Sequence, residues 1–232
     1  MKILDNIPVS LDTNQVLNKM NMRKKSDSTE RDIQELLEAI LPIAKPKVVY
    51  MVCYIDKKGE DFVDTGQVRF TSRLLRDNLD KVERIFPYIA TCGREADAIK
   101  APSEEFVKAF YLDQIKEMVL ELAIQYLEDH LTTRYRLGQI SDMEPGSLES
   151  WPIDQQKQLF SLFGNVEGLI GVKLSERCLM TPLKSVSGIY FPTKVKFESC
   201  QLCSRKRCGS RRAPYKPELA RKYGDQQPQP EI

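Results

Sequence analysis

A long apolar segment in the middle of the chain places the strongest limit on its possible folds. Residues 103–131 follow Pro102 and begin with Ser-Glu-Glu, after which apolar residues recur at helical spacing. The apolar positions are Phe106, Ala109, Phe110, Leu112, Ile115, Val119, Leu122, Ala123, Tyr126 and Leu127. Because these positions cover much of the helix circumference, other elements must pack around it. The sequence therefore predicts one long helix in the middle of a domain.

Several segments rich in β-branched and aromatic residues predict strands. They are residues 47–55, 62–70, 84–91, 169–174 and 185–191. The Lys-Lys-Gly-Glu-Asp sequence between the first two favours a turn, so we expect these two strands to form a hairpin. Helices and strands are mixed without regular β–α–β alternation, which favours an α+β fold over a parallel α/β fold.

Composition and charge indicate where the protein works and what it contacts. The sequence contains no apolar run of the roughly 20 residues that a membrane-spanning helix needs, and its start lacks a secretory signal, so we expect a cytoplasmic protein without membrane contact. The net charge is only +2. Residues 194–222, however, contain ten Lys or Arg and two Glu, a local balance of 10 − 2 = +8. A basic segment beside a near-neutral body favours an anionic partner or ligand.

Three cysteines close to the C terminus predict a metal site. Cys200, Cys203 and Cys208 have the spacing C-x2-C-x4-C, which lets thiolates converge on one zinc ion or iron–sulfur cluster. A fourth protein ligand could be Cys178 or the single histidine, His130. The alternative is a set of surface thiols or a redox-sensitive pair in a basic segment. In a reducing compartment, such clustering favours metal binding over disulfide bonding.

Two other segments have the composition of a ligand site. The strand Ser-Val-Ser-Gly-Ile-Tyr-Phe includes small residues, Ser185 and Gly188, that permit close approach of a ligand or another backbone. Tyr190 in the same strand could stack on a flat ligand or pack in the core. Pro145 and Gly146 permit a sharp turn, as in a ligand-binding loop or an ordinary connection.

Familiar catalytic motifs are absent from the sequence. It has one histidine and no P-loop, Gly-x-Gly-x-x-Gly or nucleophile motif. These absences argue against a self-contained hydrolase, kinase or Rossmann dehydrogenase.

The segment 171–191, GVKLSERCLMTPLKSVSGIYF, resembles part of a known family. It is similar to the "K-L-T-E-S…M-x-P…S-V-S-G-W-Y-F" pattern in the activation (reactivation) domain of vitamin B12-dependent methionine synthase. The resemblance extends loosely over residues 30–198 and implies an α+β domain built on a twisted antiparallel sheet. Together with the cysteine spacing and the charged, Gln/Pro-rich composition of the C-terminal residues, it divides the chain into an N-terminal extension (1–27), an activation-like domain (28–198), a cysteine-rich metal-binding segment (199–216) and a disordered tail (217–232).

The resemblance also implies a ligand and a role. Family members bind S-adenosylmethionine beside the corrinoid and support reductive methylation of its cobalt. By correspondence, Pro145, Gly146, Ser185 and Tyr190 are the candidate cofactor-binding residues. The family's loop arginine and tyrosine correspond to Asp142 and Ser147, so Arg134 or Arg136 would have to replace the missing cation.

The sequence therefore predicts an accessory protein that docks on a corrinoid protein or cobalamin-dependent methyltransferase, rather than a self-contained enzyme. Cobalamin would be reached through that partner, and the three cysteines would hold an iron–sulfur cluster that relays an electron or a structural zinc. The alternative is a metal-stapled binding module without small-molecule chemistry. In that alternative, the basic tail would bind an acidic protein or a nucleic acid, although a nucleic acid is not the expected partner because few aromatic residues accompany the tail's cations.

Overall fold

The computed structural model describes residues 1–22, 26–102, 104–194, 197–205 and 213–223. The strands are β1 (Lys2–Leu4), β2 (Lys47–Tyr50), β3 (Cys53–Tyr54), β4 (Lys57–Lys58), β5 (Phe62–Asp64), β6 (Arg69–Thr71), β7 (Arg84–Thr91), β8 (Ile140–Met143), β9 (Lys173–Leu174), β10 (Met180–Thr181) and β11 (Ser185–Pro192). The α-helices are α1 (Thr13–Lys19), α2 (Asp27–Ile40), α3 (Arg73–Asn78), α4 (Arg94–Ala98), α5 (Phe106–Tyr135), α6 (Gln156–Ser161), α7 (Val166–Ile170) and α8 (Pro217–Tyr223). The mixture of helices and antiparallel sheets confirms the α+β prediction.

The main sheet has the strand order β1-β2-β7-β11-β8, and all of its neighbouring strands are antiparallel. β3 continues the pairing of β2 with β7 in the same register, from Tyr50↔Tyr88 to Cys53↔Ile85. The ladder is interrupted between them beside Pro87. Met51 donates its backbone N–H to Pro87 O at 3.1 Å, but proline has no N–H to complete the pair.

The predicted hairpin between residues 47–55 and 62–70 is wrong. The first segment pairs with β7 in the main sheet, and the second divides into β5 and β6 of a separate three-stranded sheet. The division occurs at a turn in which Thr65 N–H bonds to Val68 O at 3.0 Å and Gly66 has a φ of +78°. Glycine adopts this left-handed conformation without the steric cost that a Cβ would add.

The two faces of the main sheet bury separate cores, because successive strand residues point to opposite faces. On the helical face, sheet residues such as Tyr50, Phe86 and Tyr190 pack against α1, α2 and α5. On the opposite face, the mixed face, residues such as Ile89 and Phe191 pack against α3, α6, α7 and the three-stranded sheet. Helices and sheets therefore cover both sides of the central strands.

Helix α5 is the long central helix that the sequence predicts. Ile115, Val119, Ala123, Leu127 and Leu131 are fully buried at helical spacing. Its first two turns are less covered than predicted, since Phe106 and Phe110 are 81% and 53% exposed. The helix ends at Tyr135, because the next residue, Arg136, has a φ of +50° that breaks the helical backbone. None of the helices in the described part of the chain is both long and apolar enough to cross a membrane.

The two terminal segments pack with the rest of the chain. β1 pairs with β2, and a capping box between Asp12 and Gln15 starts α1, whose Val16 and Leu17 are fully buried in the helical-face core. At the other end, Ala220 of α8 is 1% exposed and packs in the mixed-face core. Residues 217–223 thus form a packed helix where a disordered tail was predicted, and residues 224–232 lie outside the described residues.

Candidate functional site

Strand β11, which carries the family-like motif, lies in the interior of the main sheet between β7 and β8. At its start, the Ser185 hydroxyl donates to Pro182 O at 2.8 Å and lies 2.9 Å from Thr91 Oγ1. Strand alternation places Ser185 on the mixed face and Tyr190 on the helical face. The two predicted binding residues on this strand therefore point to opposite sides of the sheet.

Tyr190 is buried in the helical-face core. Its side chain is 3% exposed, and its ring centroid lies 4.9 Å from that of Tyr88 on the neighbouring strand. On its other side, its register partner in β8 is Asp142, which is 8% exposed. Packing against Tyr88 accounts for the position of the Tyr190 ring, and its role in ligand binding stays a prediction.

Pro145 and Gly146 form a rigid turn directly after β8. Ser147 N–H bonds to Glu144 O at 3.2 Å, and Gly146 has a φ of +85°, as in a type II turn with proline and glycine at its centre. Two further hydrogen bonds hold the turn, one within it and one to a residue outside it. Ser147 Oγ donates to Glu144 Oε2 at 2.8 Å, and Gly146 N–H bonds to Trp151 O at 2.8 Å. The loop therefore has a defined shape beside β11.

A buried polar group lies under β11 on the mixed face. Gln156, 3% exposed, donates its side-chain N–H to Ser187 Oγ at 3.0 Å. Its Oε1 atom has no hydrogen-bond partner among the described residues. Ser187 is thus part of an interior polar contact that the sequence analysis did not predict.

Sequence reasoning missed a group of charges at the start of β11. Lys184 Nζ lies 3.0 Å from Asp113 Oδ2 and 2.9 Å from Glu117 Oε2, both on α5. Burial alone would lower the pKa of Lys184, but its hydrogen bonds to Glu117 and Asp113 outweigh this effect and raise the pKa. The i,i+4 spacing of the two acids was the available sequence signal, since it places them on one side of a helix.

The cysteine-rich segment is attached to the domain at both ends. Before it, Phe197 N–H bonds to Ser141 Oγ at 2.8 Å, and within it Leu202, between Cys200 and Cys203, is fully buried. At its end, Lys216 N–H bonds back to Gln201 O at 2.7 Å within the segment, and Ala220, four residues later, packs in the mixed-face core. Cys208 lies outside the described residues.

The metal site stays a prediction. Among the described residues, no three Cys, His, Asp or Glu side chains are grouped as metal ligands. Cys178, a candidate fourth ligand, lies between β9 and β10 and is 9% exposed. His130, the other candidate, has its Nε2 atom 2.8 Å from the hydroxyl of Tyr50.

Comparisons with known proteins support the fold. No family model and no curated protein matches the sequence. Among solved structures, the chain matches a crystal structure of the MetH reactivation domain bound to AdoHcy (S-adenosylhomocysteine), with a TM-score of 0.55 and 16% identity. The match covers 86% of this chain and 81% of that one. At this level of identity the similarity shows the fold alone, and the chain shares the fold of that reactivation domain.

Proposed function

We propose that this protein binds S-adenosylmethionine and supports reductive methylation of the corrinoid in a cobalamin-dependent methyltransferase. The observation that carries the proposal is the fold similarity to an AdoHcy-bound reactivation domain over 86% of this chain. The motif of residues 171–191 and the Pro145-Gly146 turn support it, because β11 and β8 are neighbours in the sheet.

In this proposal, the turn after β8 and the start of β11 form the ligand site. S-adenosylmethionine carries a sulfonium and an ammonium group, which favour nearby carboxylates. Asp113 and Glu117 supply such carboxylates at the start of β11, where they hold Lys184. Gly146 is exposed to solvent, while the space that a Cβ would take is filled by the side chain of Ile153.

Calorimetric titration of the full chain with S-adenosylmethionine and with AdoHcy tests the ligand. We expect saturable binding that Asp113→Asn and Glu117→Gln each weaken by roughly tenfold, the loss of about one charge-assisted hydrogen bond. Glu121→Gln is the matched control, because this acid lies one turn further along α5 and pairs with Lys19 instead. Absence of binding in the wild-type protein, with a folded chain, would contradict the proposal.

A conservative variant is needed to test whether Tyr190 binds the ligand. Because Tyr190 is 3% exposed, Tyr190→Ala would leave a cavity that costs about 3–5 kcal/mol of stability and would confuse packing with binding. Tyr190→Phe keeps the ring and removes only the hydroxyl. If the hydroxyl contacts the ligand, affinity falls while the urea midpoint changes little.

The same proposal assigns the electron relay, or a structural role, to a metal held by Cys200, Cys203 and Cys208. An anaerobic preparation should contain either one iron–sulfur cluster, measured as iron and sulfide, or one zinc ion per chain. Cys203→Ser should lower that content, because thiolates are the preferred ligands of both metals. A metal-free wild-type preparation would remove this part of the proposal and leave ligand binding untouched.

The activity test combines the protein with a cobalamin-dependent methyltransferase in the Co(II) state, a reductant and S-adenosylmethionine. We expect the absorbance of methylcobalamin to appear faster when the protein is present. An unchanged rate, in a protein that binds S-adenosylmethionine, would limit its role to ligand binding.

A further inference from the structure

Arginines pack against aromatic rings around the C-terminal end of α5. The guanidinium carbon of Arg84 lies 5.3 Å from the ring centroid of Phe86 and 5.4 Å from that of Tyr135. The guanidinium carbon of Arg134 lies 5.9 Å from the same Tyr135 ring. Two elements that are far apart in sequence, β7 and the last turn of α5, thus bring two arginines to one tyrosine.

Tyr54 extends this arrangement on β3. Tyr54 and Arg84 are register partners across β3 and β7. Backbone bonds from Met51 to Pro87 and from Ile55 to Glu83 make the intervening Tyr54–Arg84 pair a non-hydrogen-bonded one, whose side chains stand close together. Tyr54 is 62% exposed. We call Tyr54, Arg84, Tyr135 and Arg134 the arginine–tyrosine strip.

The positive charge of the strip is not neutralised within the described residues. No described carboxylate forms an ion pair with Arg84 or Arg134, whereas Arg69, Arg76 and Arg94 each have at least one. The C-terminal dipole of α5 favours cations at this end of the helix, where both guanidinium groups lie beside Tyr135, but it supplies no anionic partner to either arginine. An anionic group from outside the chain would complete the strip.

The charged groups around the strip also indicate that it attracts an anion. The pKa of His130, one turn before Arg134, is lowered by burial and then by the positive charges of Arg134 and Lys2. Beside Tyr54, a cavity of about 390 Å³ is lined by Lys57 and Lys58 together with Asp56 and Glu83, so its charges balance. The cavity beside Tyr54 therefore adds no net charge to that of the two arginines.

We propose that the arginine–tyrosine strip binds a nucleoside phosphate, either free or within a single strand of nucleic acid. Its two guanidinium groups would bind phosphate, since their donors match phosphate oxygens. The exposed ring of Tyr54 would stack on a base, as aromatic side chains do in proteins that bind single strands. This site is distinct from the proposed S-adenosylmethionine site at β8 and β11, and it uses none of the basic residues after Lys194.

Fluorescence anisotropy with a labelled oligothymidylate of about twelve nucleotides tests the strip on the full chain. We expect binding that the double variant Arg84→Gln/Arg134→Gln weakens at least tenfold, with a salt slope lower by about two because two phosphate contacts are lost. The charge-matched control is Arg205→Gln/Arg211→Gln in the basic segment. The proposal is overturned if the strip variant weakens binding no more than this control, or if the wild-type chain binds neither the oligothymidylate nor ADP.

Tyr54→Ala is a second variant for the same binding assay, in case the loss of Arg84 disturbs packing. Tyr54 is largely exposed, so its removal should leave the urea midpoint close to wild type. The variant should weaken binding by roughly tenfold through lost stacking. Unchanged affinity in Tyr54→Ala would overturn the stacking role.

Competition by ADP separates the two sources of the ligand. Full displacement of the oligothymidylate at low ADP concentration indicates a free nucleotide, and little displacement indicates a strand.

Discussion

Gly188 shows, at the scale of a residue, what small residues in β11 accomplish. A Cβ on this glycine would lie 2.8 Å from Met143 O and 2.9 Å from a ring carbon of Tyr88, so the neighbouring strands already fill the space. We expect Gly188→Ala to lower the free energy of unfolding by about 1–3 kcal/mol because of overpacking. Urea unfolding measures the change. Gly138→Ala is the control, because nothing lies within 4 Å of its added methyl group, and equal midpoints in the two variants would contradict the interpretation.

His130 makes stability depend on pH in a defined direction. Burial, followed by the charges of Arg134 and Lys2, lowers the pKa of His130 in the folded protein. The unfolded chain, with a histidine pKa of about 6.5, therefore binds a proton more readily than the folded one. The stability contribution of neutral His130 is present above that value and is lost as pH falls through the lower, folded pKa.

His130→Gln should consequently reduce the loss of unfolding free energy between about pH 7.5 and about pH 5.5. Urea unfolding at a series of pH values measures this slope. Tyr50→Phe is the companion variant, since it removes the hydroxyl next to His130 and leaves Arg134 and Lys2 in place. It should retain the pH dependence. The explanation fails if His130→Gln and wild type lose stability in parallel.

At the scale of an element, helix α8 is a short helix that is held in place by tertiary contacts. Its Ala220 is 1% exposed, and Lys222 Nζ lies 3.1 Å from Asp77 Oδ2 of α3. We expect Ala220→Asp to detach α8, because burying a carboxylate costs more than undocking a short helix. Hydrogen exchange of residues 216–223 should then accelerate while β7 stays protected. Ala109→Asp, on an exposed side of α5, should leave both unchanged, and protection of α8 in Ala220→Asp would refute its docking.

The same helix shows why some elements were predictable and others were not. Helical periodicity predicted α5, and composition predicted β11, elements that run over 30 and 8 residues. The seven residues of α8 lie in a charged, Gln/Pro-rich context, and only tertiary contact through Ala220 reveals their order. The partner of β2 was mispredicted for a related reason. Composition identifies a strand, but pairing with β7 depends on the whole sheet.

Some features of the candidate site could likewise be predicted from the sequence, and others could not. The Pro145-Gly146 turn could be predicted, because residue type determines its backbone conformation. The contact of Lys184 with Asp113 could not, since 71 residues separate the two in sequence. The burial of Tyr190 against Tyr88 likewise follows from strand order, which the motif does not encode.

At the scale of the whole molecule, the N-terminal segment decides where the domain begins. The resemblance placed residues 1–27 outside an activation-like domain, yet Ile7, Val16 and Leu17 are at most 7% exposed in the helical-face core. β1 also shields the edge of β2. If these contacts stabilise the fold, the domain includes both terminal segments, and a chain cut at the predicted boundary is incomplete.

A chain that begins at Ser26 tests this boundary. Burying each of these three side chains contributes about 1.5–3 kcal/mol, so their loss should remove several kcal/mol of stability and expose the apolar sides of α2 and α5. The urea midpoint and the fluorescence of a hydrophobic dye measure the two effects. Leu17→Ala should show a fraction of the loss. Ile3→Ser should show less than Leu17→Ala, because Ile3 is already 39% exposed. A truncated chain with the wild-type midpoint would restore the boundary near residue 27, since the buried contacts of α1 would then contribute nothing to the core beneath them.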